Sequence, residues 1–355
     1  MRKFLAIFAA AAMILSLAAC NNENNNSTPN NNGDNGTTTT TTTAAAEDST
    51  TTTTTAAEED PGESEDNSGE EEDPAAGGEE EGPLFPQMAD IDAEAIDVDP
   101  ILHLDFETTD GLKAVEQIEN DGSQPDGFFL IVDSDHEILL AEGQGASGNA
   151  LYLDGKYGVD FDMPAINDDI YTISLWFNAD RLSTFGPIVQ MGRNIAATGD
   201  PVTWLNFTKT DWGADGVNIC PVAWNKNTDY ANPWVYAMDN AEYGKREWCM
   251  VTVVLNGNRY IADDGLDRVE TQFYLNGQMM WDANADNMFY QGFAPEIFAG
   301  DGLEGHVGIN YWDTVFKGFV DEVVVYNAAL TPGQVKTLYE AGNPPETPVA
   351  PETAE

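Results

Sequence analysis

The chain has 355 residues, with 62 Asp and Glu against 14 Lys and Arg, a formal charge of −48. So acidic a chain repels nucleic acid and anionic membrane surfaces, which excludes polyanion binding as a function class. It suits neutral ligands and divalent cations, although solubility alone also accounts for such a charge.

The first element is an export signal, residues 1–20, MRKFLAIFAAAAMILSLAAC. Arg2 and Lys3 form a basic start, an apolar run follows, and small residues precede Cys20. Leu17-Ala18-Ala19-Cys20 resembles the lipobox of bacterial lipoproteins, in which the cysteine becomes the mature N-terminus and carries lipid. The resemblance implies an exported protein held to the cell membrane through lipid on Cys20 and facing the cell exterior; more than one acyl chain makes such an anchor stable. The alternative is a plain secretory signal in which Cys20 is incidental.

Residues 21–100 come next, an Asn-, Thr- and Glu-rich stretch without a Lys or Arg. It has almost no apolar side chain before Leu84 and Phe85, so it buries too little surface to offset chain entropy. It is expected to be a disordered linker, extended by like charges into a stalk. A disordered tail is expected at residues 344–355.

Residues 101–343 read as one nearly all-β domain. They hold 37 Asp and Glu against 12 Lys and Arg, a balance of −25, so the acidity is not confined to the linker. In chain order the expected strands are ILHLDFE, NALYLDG, DIYTISLWFNA, GPIVQMG, VTWLNFTK, GVNICPVAW, EWCMVTVVLNG, TQFYLNGQ, GHVGIN and FKGFVDEVVVYN. Aromatic and β-branched residues fill them, and Gly, Asn and Asp separate them. In ILHLDFE, Leu102, Leu104 and Phe106 alternate with His103, Asp105 and Glu107. Only TPGQVKTLYEAG is expected to be helical, with Thr331 as N-cap, Pro332 in the first turn and Gly342 as the stop. So many short strands predict a two-sheet antiparallel sandwich or jelly roll with one short C-terminal helix. Cys220 and Cys249 lie in strand-like runs of an exported domain, where a disulfide between them and two buried thiols are equally open.

Taken in order, HLDFE, GNALYLDGKY, YTISLWFNA, EWCMVTVVLNG, TQFYLNGQ, HVGIN and FKGFVDEVVVYNAALTPGQVKTLYEAG resemble the laminin-G-like, concanavalin A-like jelly rolls of bacterial surface proteins. Cys249 departs from the pattern, which often has His there, and the aromatic insert at 211–245 has no counterpart in these motifs. The resemblance implies that the last long strand lies beside the first. The acids Asp105 and Glu107 would then meet Asp321, and several related domains carry a structural Ca²⁺ at that edge. Carboxylates gathered together repel unless neutralised, and Ca²⁺ accepts such an oxygen-rich shell. Solvated strand-end acids are the alternative.

No strand carries the E-x-D-x-E spacing of concanavalin-like glucanases, so a carboxylate pair for glycoside cleavage is not expected. His103, His136 and His306 are scattered, without carboxylate or Cys partners at metal or triad spacing. Binding remains. Trp204, Trp212, Trp224, Tyr230, Trp234, Tyr236 and Tyr243 crowd one stretch with Asn225, Asp229 and other amides and acids. Flat rings and planar acceptors match the CH faces and hydroxyls of sugars, and Trp312 joins them as a rim residue. Core packing is the competing role for these rings. The expected function is non-catalytic recognition of a neutral polysaccharide or cell-surface glycan. An adhesion or assembly module for an envelope protein is the alternative, and a glycoside hydrolase comes third.

Overall fold

The computed structural model describes residues 85–123, 127–167, 169–193, 203–210, 217–225, 234–235, 241–284, 291–299 and 302–352. Cys20, the signal and nearly all of the linker lie outside them, as do Trp212, Asp229 and Tyr230. The described strands are β1 (Leu102–Leu104), β2 (Leu112–Ile118), β3 (Leu130–Asp133), β4 (Leu139–Ala141), β5 (Ala150–Asp154), β6 (Gly158–Phe161), β7 (Ile170–Arg181), β8 (Pro187–Arg193), β9 (Thr203–Lys209), β10 (Ile219–Asn225), β11 (Trp234–Val235), β12 (Cys249–Ile261), β13 (Asp267–Leu275), β14 (Gln278–Ala283), β15 (Glu304–Val307) and β16 (Lys317–Tyr326). One helix follows, α1 (Pro332–Ala341).

Two antiparallel eight-stranded sheets form the sandwich. The first runs β14-β13-β12-β7-β16-β5-β4, with β1 also on β16; the second runs β11-β10-β9-β8-β15-β6-β2-β3. The first strand does lie on the last: Leu102 pairs with Val325 and Leu104 with Val323. Between the sheets, Ile173, Leu175, Val251, Val253, Phe273 and Val325 meet Val159, Val189, Met191, Leu205, Phe207 and Val307, all fully buried. Each such side chain contributes roughly 1.5–3 kcal/mol relative to exposure.

The first sheet is buried on its outer face as well. Trp176, Met250, Val254, Tyr274 and Val324 form a second cluster there with Val335 of α1. The Trp176 ring stacks on Tyr339 at 5.5 Å. A capping box starts α1: Thr331 Oγ1 accepts from Gln334 N, and Gln334 Oε1 accepts from Thr331 N. Gly342 ends it at φ −76°, so it supplies no left-handed turn. Its use is close approach, since a Cβ there would strike the Trp176 ring.

Two features differ from the sequence reading, and one point that it left open is decided. TQFYLNGQ is not one strand: Asn276 and Gly277, at φ 51° and 76°, turn β13 into β14. Cys220 and Cys249 are buried and not joined in a disulfide, one on β10 of the second sheet and the other on β12 of the first. Finally, ordered chain begins before residue 101 and continues past 343. Lys336 Nζ donates to the carbonyls of Met88 (3.2 Å) and Ile91 (2.7 Å), and Glu94 N donates to Gly333 O (3.1 Å). Gln334 Nε2 donates to Ala95 O, Gln278 Nε2 to Pro86 O, and Val349 N to Gln144 Oε1. An acidic, Ala-rich stretch carries little apolar signal of its own; its backbone carbonyls are what α1 holds.

This attachment predicts that Lys336→Met destabilises the domain by about 1.5–3 kcal/mol, the range for a charge-assisted hydrogen bond. Hydrogen exchange should quicken in residues 85–95 more than in the sheets. Unchanged melting and unchanged exchange would show that the segment contributes nothing.

Candidate functional site

Two regions gather chemistry. The first is the edge where β1 meets β16. β16 bulges between Asp321, opposite Trp176, and Val324, opposite Ser174. Glu322 sits at φ 50° in that bulge, and Phe106 at φ 50° just after β1. These left-handed residues re-aim their neighbours. Both Glu107 and Asp321 are thereby brought to one loop, residues 145–149. Asn149 N donates to Glu107 Oε1 (2.9 Å) and Ser147 N to Asp321 Oδ2 (3.1 Å). Cβ atoms at Gly145 and Gly148 would collide with the Asp321 and Glu107 carboxylates, so glycine is what lets the loop come so near.

Asp321 is fully buried, and its Oδ1 has no hydrogen-bond partner among the described residues. Desolvation pushes its carboxyl up to about 8, against the opposing hydrogen bond from Ser147. An orphaned buried carboxylate oxygen beside a second carboxylate suits an oxygen-ligated cation. Asp105 Oδ1 accepts from Glu107 N (3.1 Å), and no three Asp, Glu, His or Cys side chains among the described residues form a metal-holding group. The short turn through Phe106 directs Asp105 into its own local bond. The Gly148 carbonyl accepts from Gly145 N (2.9 Å). His103 Nε2 meets Glu322 Oε2 at 2.8 Å, a carboxylate partner that spacing did not reveal.

The second region is the outer face of the second sheet. Register sets Lys113, Asp160, His306, Gln190 and Asn206 in one polar row across β2, β6, β15, β8 and β9. His306 lies between two acids, with Nδ1 3.2 Å from Asp160 Oδ1 and Nε2 3.4 Å from Glu304 Oε2. Burial opposes charge on this imidazole, but the two carboxylates outweigh it and hold its pKa above the ordinary value. Tyr311 OH donates to the same Glu304 Oε2 (2.9 Å). The expectation that His306 has no carboxylate partner is therefore overturned. Its partners come from a neighbouring strand and from two positions back on its own, a relation that only strand pairing creates.

A neighbouring row on this face runs Glu304, Gly192, Trp204 and Trp224. Trp204 and Trp224 are 4% and 8% exposed and belong to the core cluster, so Trp224 is not the exposed platform expected of it. Asn225 and Trp234 are fixed as strand positions, paired with Thr203 and Trp224. Trp212 falls in the chain between β9 and β10, and Asp229 and Tyr230 between β10 and β11, outside the described residues.

Trp312 is half-buried in the loop between β15 and β16. Its ring lies 5.5 Å from Trp204, 5.2 Å from Phe128 and 6.3 Å from Tyr311. The loop is tied down from inside. Gln117 Nε2 donates to the carbonyls of Asn310 and Asp313, both at 2.7 Å, and Asn310 Nδ2 donates to Asp313 Oδ2 (2.9 Å). Burial pushes the Asp313 carboxyl up to about 7, against that last bond. A fixed, half-buried indole thus stacks beside Tyr311, whose hydroxyl reaches Glu304, and the partly exposed carboxylates Asp160 (39%) and Glu304 (23%) flank His306. Such a surface can offer apolar contact to a flat ligand and accept hydrogen bonds from its hydroxyls.

Comparison with known proteins adds the following. No curated protein matches the chain. Among solved structures, it is similar to domain 4 of AbnA, a GH43 extracellular arabinanase from Geobacillus stearothermophilus in complex with arabinotriose. The identity is 21%, over 64% of this chain and 98% of that one, with a TM-score of 0.41. The globular domain of T. cruzi calreticulin matches at 12% identity over 68% and 93% of the two chains, with a TM-score of 0.41. The CBM40 of the Ruminococcus gnavus IT-sialidase matches at 11% over 54% and 96%, with a TM-score of 0.34. The family described as the Concanavalin A-like lectin/glucanases superfamily, of the laminin G type, matches residues 153–336, just over half of the chain. With its two antiparallel sheets, its last strand on its first and its single closing helix, the chain belongs to the concanavalin A-like lectin/glucanase superfamily.

Proposed function

We propose that this chain is a surface-anchored, lectin-like protein that binds a neutral polysaccharide or cell-surface glycan without cleaving it. The observation that carries the reading is the pinned Trp312 ring beside the Asp160, Glu304, His306 and Tyr311 group on the outer face of the second sheet. An indole supplies the surface on which a sugar's CH face packs. The carboxylates accept from hydroxyls, and the strongly negative domain disfavours an anionic ligand. Asp160 and Glu304 both engage His306, which suits fixed hydrogen-bond acceptors better than an acid and a nucleophile facing one glycosidic bond. The fold by itself admits many functions, so the reading rests on this group of side chains.

We further propose that Glu107, Asp321 and carbonyls of the 145–149 loop hold a structural Ca²⁺, and that lipid on Cys20 anchors the chain to the cell membrane. The orphaned Asp321 oxygen and the glycines at 145 and 148 support the first; the sequence Leu17-Ala18-Ala19-Cys20 supports the second. Surface copies of a weak binder would act together through avidity.

Affinity electrophoresis of the protein through a panel of soluble plant and bacterial polysaccharides tests the central reading. Retardation is expected with at least one neutral glycan, and Trp312→Ala should weaken it about tenfold, the cost of truncating an aromatic anchor. No retardation across the panel, with the fold intact, would favour an envelope protein as partner. Release of reducing sugar would identify an enzyme instead.

The cation proposal has a pH signature. In chelated protein, Asp321 has a folded pKa near 8, above its unfolded value of 3.8. Its contribution is therefore fully present below about pH 4 and is lost as pH rises through about 8. Melting temperature should fall over that window in chelated wild type and less so in Asp321→Asn. Added Ca²⁺ should reverse the fall, because an ion bound only by the folded state stabilises it by mass action. A wild-type profile that calcium leaves unmoved would remove the ion from this edge.

For the anchor, Cys20→Ser should move the protein from the membrane fraction to the soluble one. Continued membrane retention would mean that something other than lipid on this cysteine holds it.

A further inference from the structure

The chain from the linker joins the domain through two attachments of different geometry. The first is the stretch from Phe85 to Ala95, which is bonded to α1 and to the start of β14. Its bonds follow one another in chain order. Pro86 O accepts from Gln278 Nε2 (2.9 Å), and Met88 N donates to Gln278 Oε1 (2.7 Å). The Met88 and Ile91 carbonyls accept from Lys336 Nζ. Glu94 N donates to Gly333 O, and Glu94 O accepts from Thr337 Oγ1 (2.7 Å). Ala95 O accepts from Gln334 Nε2 (3.1 Å) and closes the series. A pull from the linker reaches these bonds singly, Pro86 first, so the stretch peels.

The second attachment is β1. Ile101 N donates to Val325 O (2.8 Å), and Leu102, His103 and Leu104 are opposite Val325, Val324 and Val323. Because the pair is antiparallel, the linker end of β1 lies beside Val325, at the far end of β16 from Lys317. The loop that carries Trp312 enters β16 at Lys317. A pull on the linker and an opposing pull on that loop therefore act along the strand axis in opposite directions. Ladder hydrogen bonds lie across the strands, so such a load strains all of them together. A pull on the linker against the chain leaving β16 at Asn327 acts instead at one end of the ladder, and the bonds give way singly. The strand β16 itself is held along more of its length: β7 pairs with it from Lys317 to Tyr326, and β5 pairs with Lys317–Val320. The β1 pairing, on Val323–Val325, is the shortest of the three, so the load parts the structure there.

We propose that residues 85–104 are a two-stage mechanical attachment between stalk and domain. Under light load the 85–95 stretch peels from α1 and lengthens the connection; β1 then bears the remaining load in shear on β16. The proposal rests on the reading that the linker leads to a membrane anchor and that glycan binds beside Trp312, since tension then enters at these two points. A cell held to glycan by this chain gains slack before the β1 pairing is strained, and the pairing meets the load in its stronger direction. The slack lets neighbouring copies share the load, so avidity survives tension.

Single-molecule pulling of the full chain at constant force tests this. Cys20→Ser leaves the buried Cys220 and Cys249 as the native cysteines. Handles are attached through Gly82→Cys in the linker and either Thr314→Cys or Asn327→Cys, both at exposed positions. With the Thr314 handle two steps are expected: a first lengthening of at most about 55 Å, the extended span of residues 85–100, and then loss of the domain. The lifetime before the second step should exceed that with the Asn327 handle by at least about tenfold, because shear breaks further hydrogen bonds at the same moment. Lys336→Met should shorten the first lifetime about tenfold, as loss of a charge-assisted hydrogen bond does, and leave the second unchanged. Equal second-step lifetimes with the two handles overturn the shear. A single step with the Thr314 handle overturns the two stages, and so does a first step that Lys336→Met leaves untouched. Neither sugar nor membrane is present, so failure here is read independently of failure of the glycan or anchor readings.

Discussion

Strand β16 is the constraint on which the remaining structure depends. It hydrogen-bonds to β7 along one side and to β5 and then β1 along the other, so three distant parts of the chain converge on ten residues. Its core-facing Val320, Val323 and Val325 are fully buried, and its opposite face carries Phe319, Asp321, Val324 and Tyr326, all buried as well. A strand buried on both sides reads as a nearly continuous apolar run, which explains VVVY. It also makes Asp321 costly, because a carboxylate there has left water without a complete set of partners.

The bulge resolves how β1 and β5 share one side of β16. β5 pairs with Lys317–Val320 and β1 with Val323–Val325, and the irregularity falls between them. At that junction the 145–149 loop reaches in and meets Asp321 and Glu107. The acidic edge is thus a consequence of topology. Two partner strands end there, backbone amides are left over, and carboxylates accept from them.

Covering one outer face accounts for much of the remainder. α1 and the segment from residue 85 close half of the first sheet, with Trp176 between Tyr339 and Gly342. The other half keeps a cross-strand row of Trp248, Asn178, Phe319 and Tyr152, and the outer face of the second sheet keeps the polar row with Trp312 at its rim. Three aromatic groups on outer faces thus meet different fates: the first is packed under a helix, the second carries donors without a partner among the described residues, and the third stands beside carboxylates. Residue type does not separate them; what lies over each one does.

The sequence by itself determined the class of fold, the order of the main strands and the closing helix with its cap. These depend on alternation, turn residues and capping chemistry, all of which act over a few residues along the chain. It determined less well the short strands β2, β3, β4 and β6, which run for three to seven residues and leave neither period room to stand out. The tertiary structure alone decided that Trp224 is buried, that Cys220 and Cys249 belong to different sheets, that Asp105 accepts from the Glu107 amide, and that His306 lies between Asp160 and Glu304. Each of these depends on which strands become neighbours and on what covers their outer faces, a contact between residues far apart in the chain that no local spacing encodes.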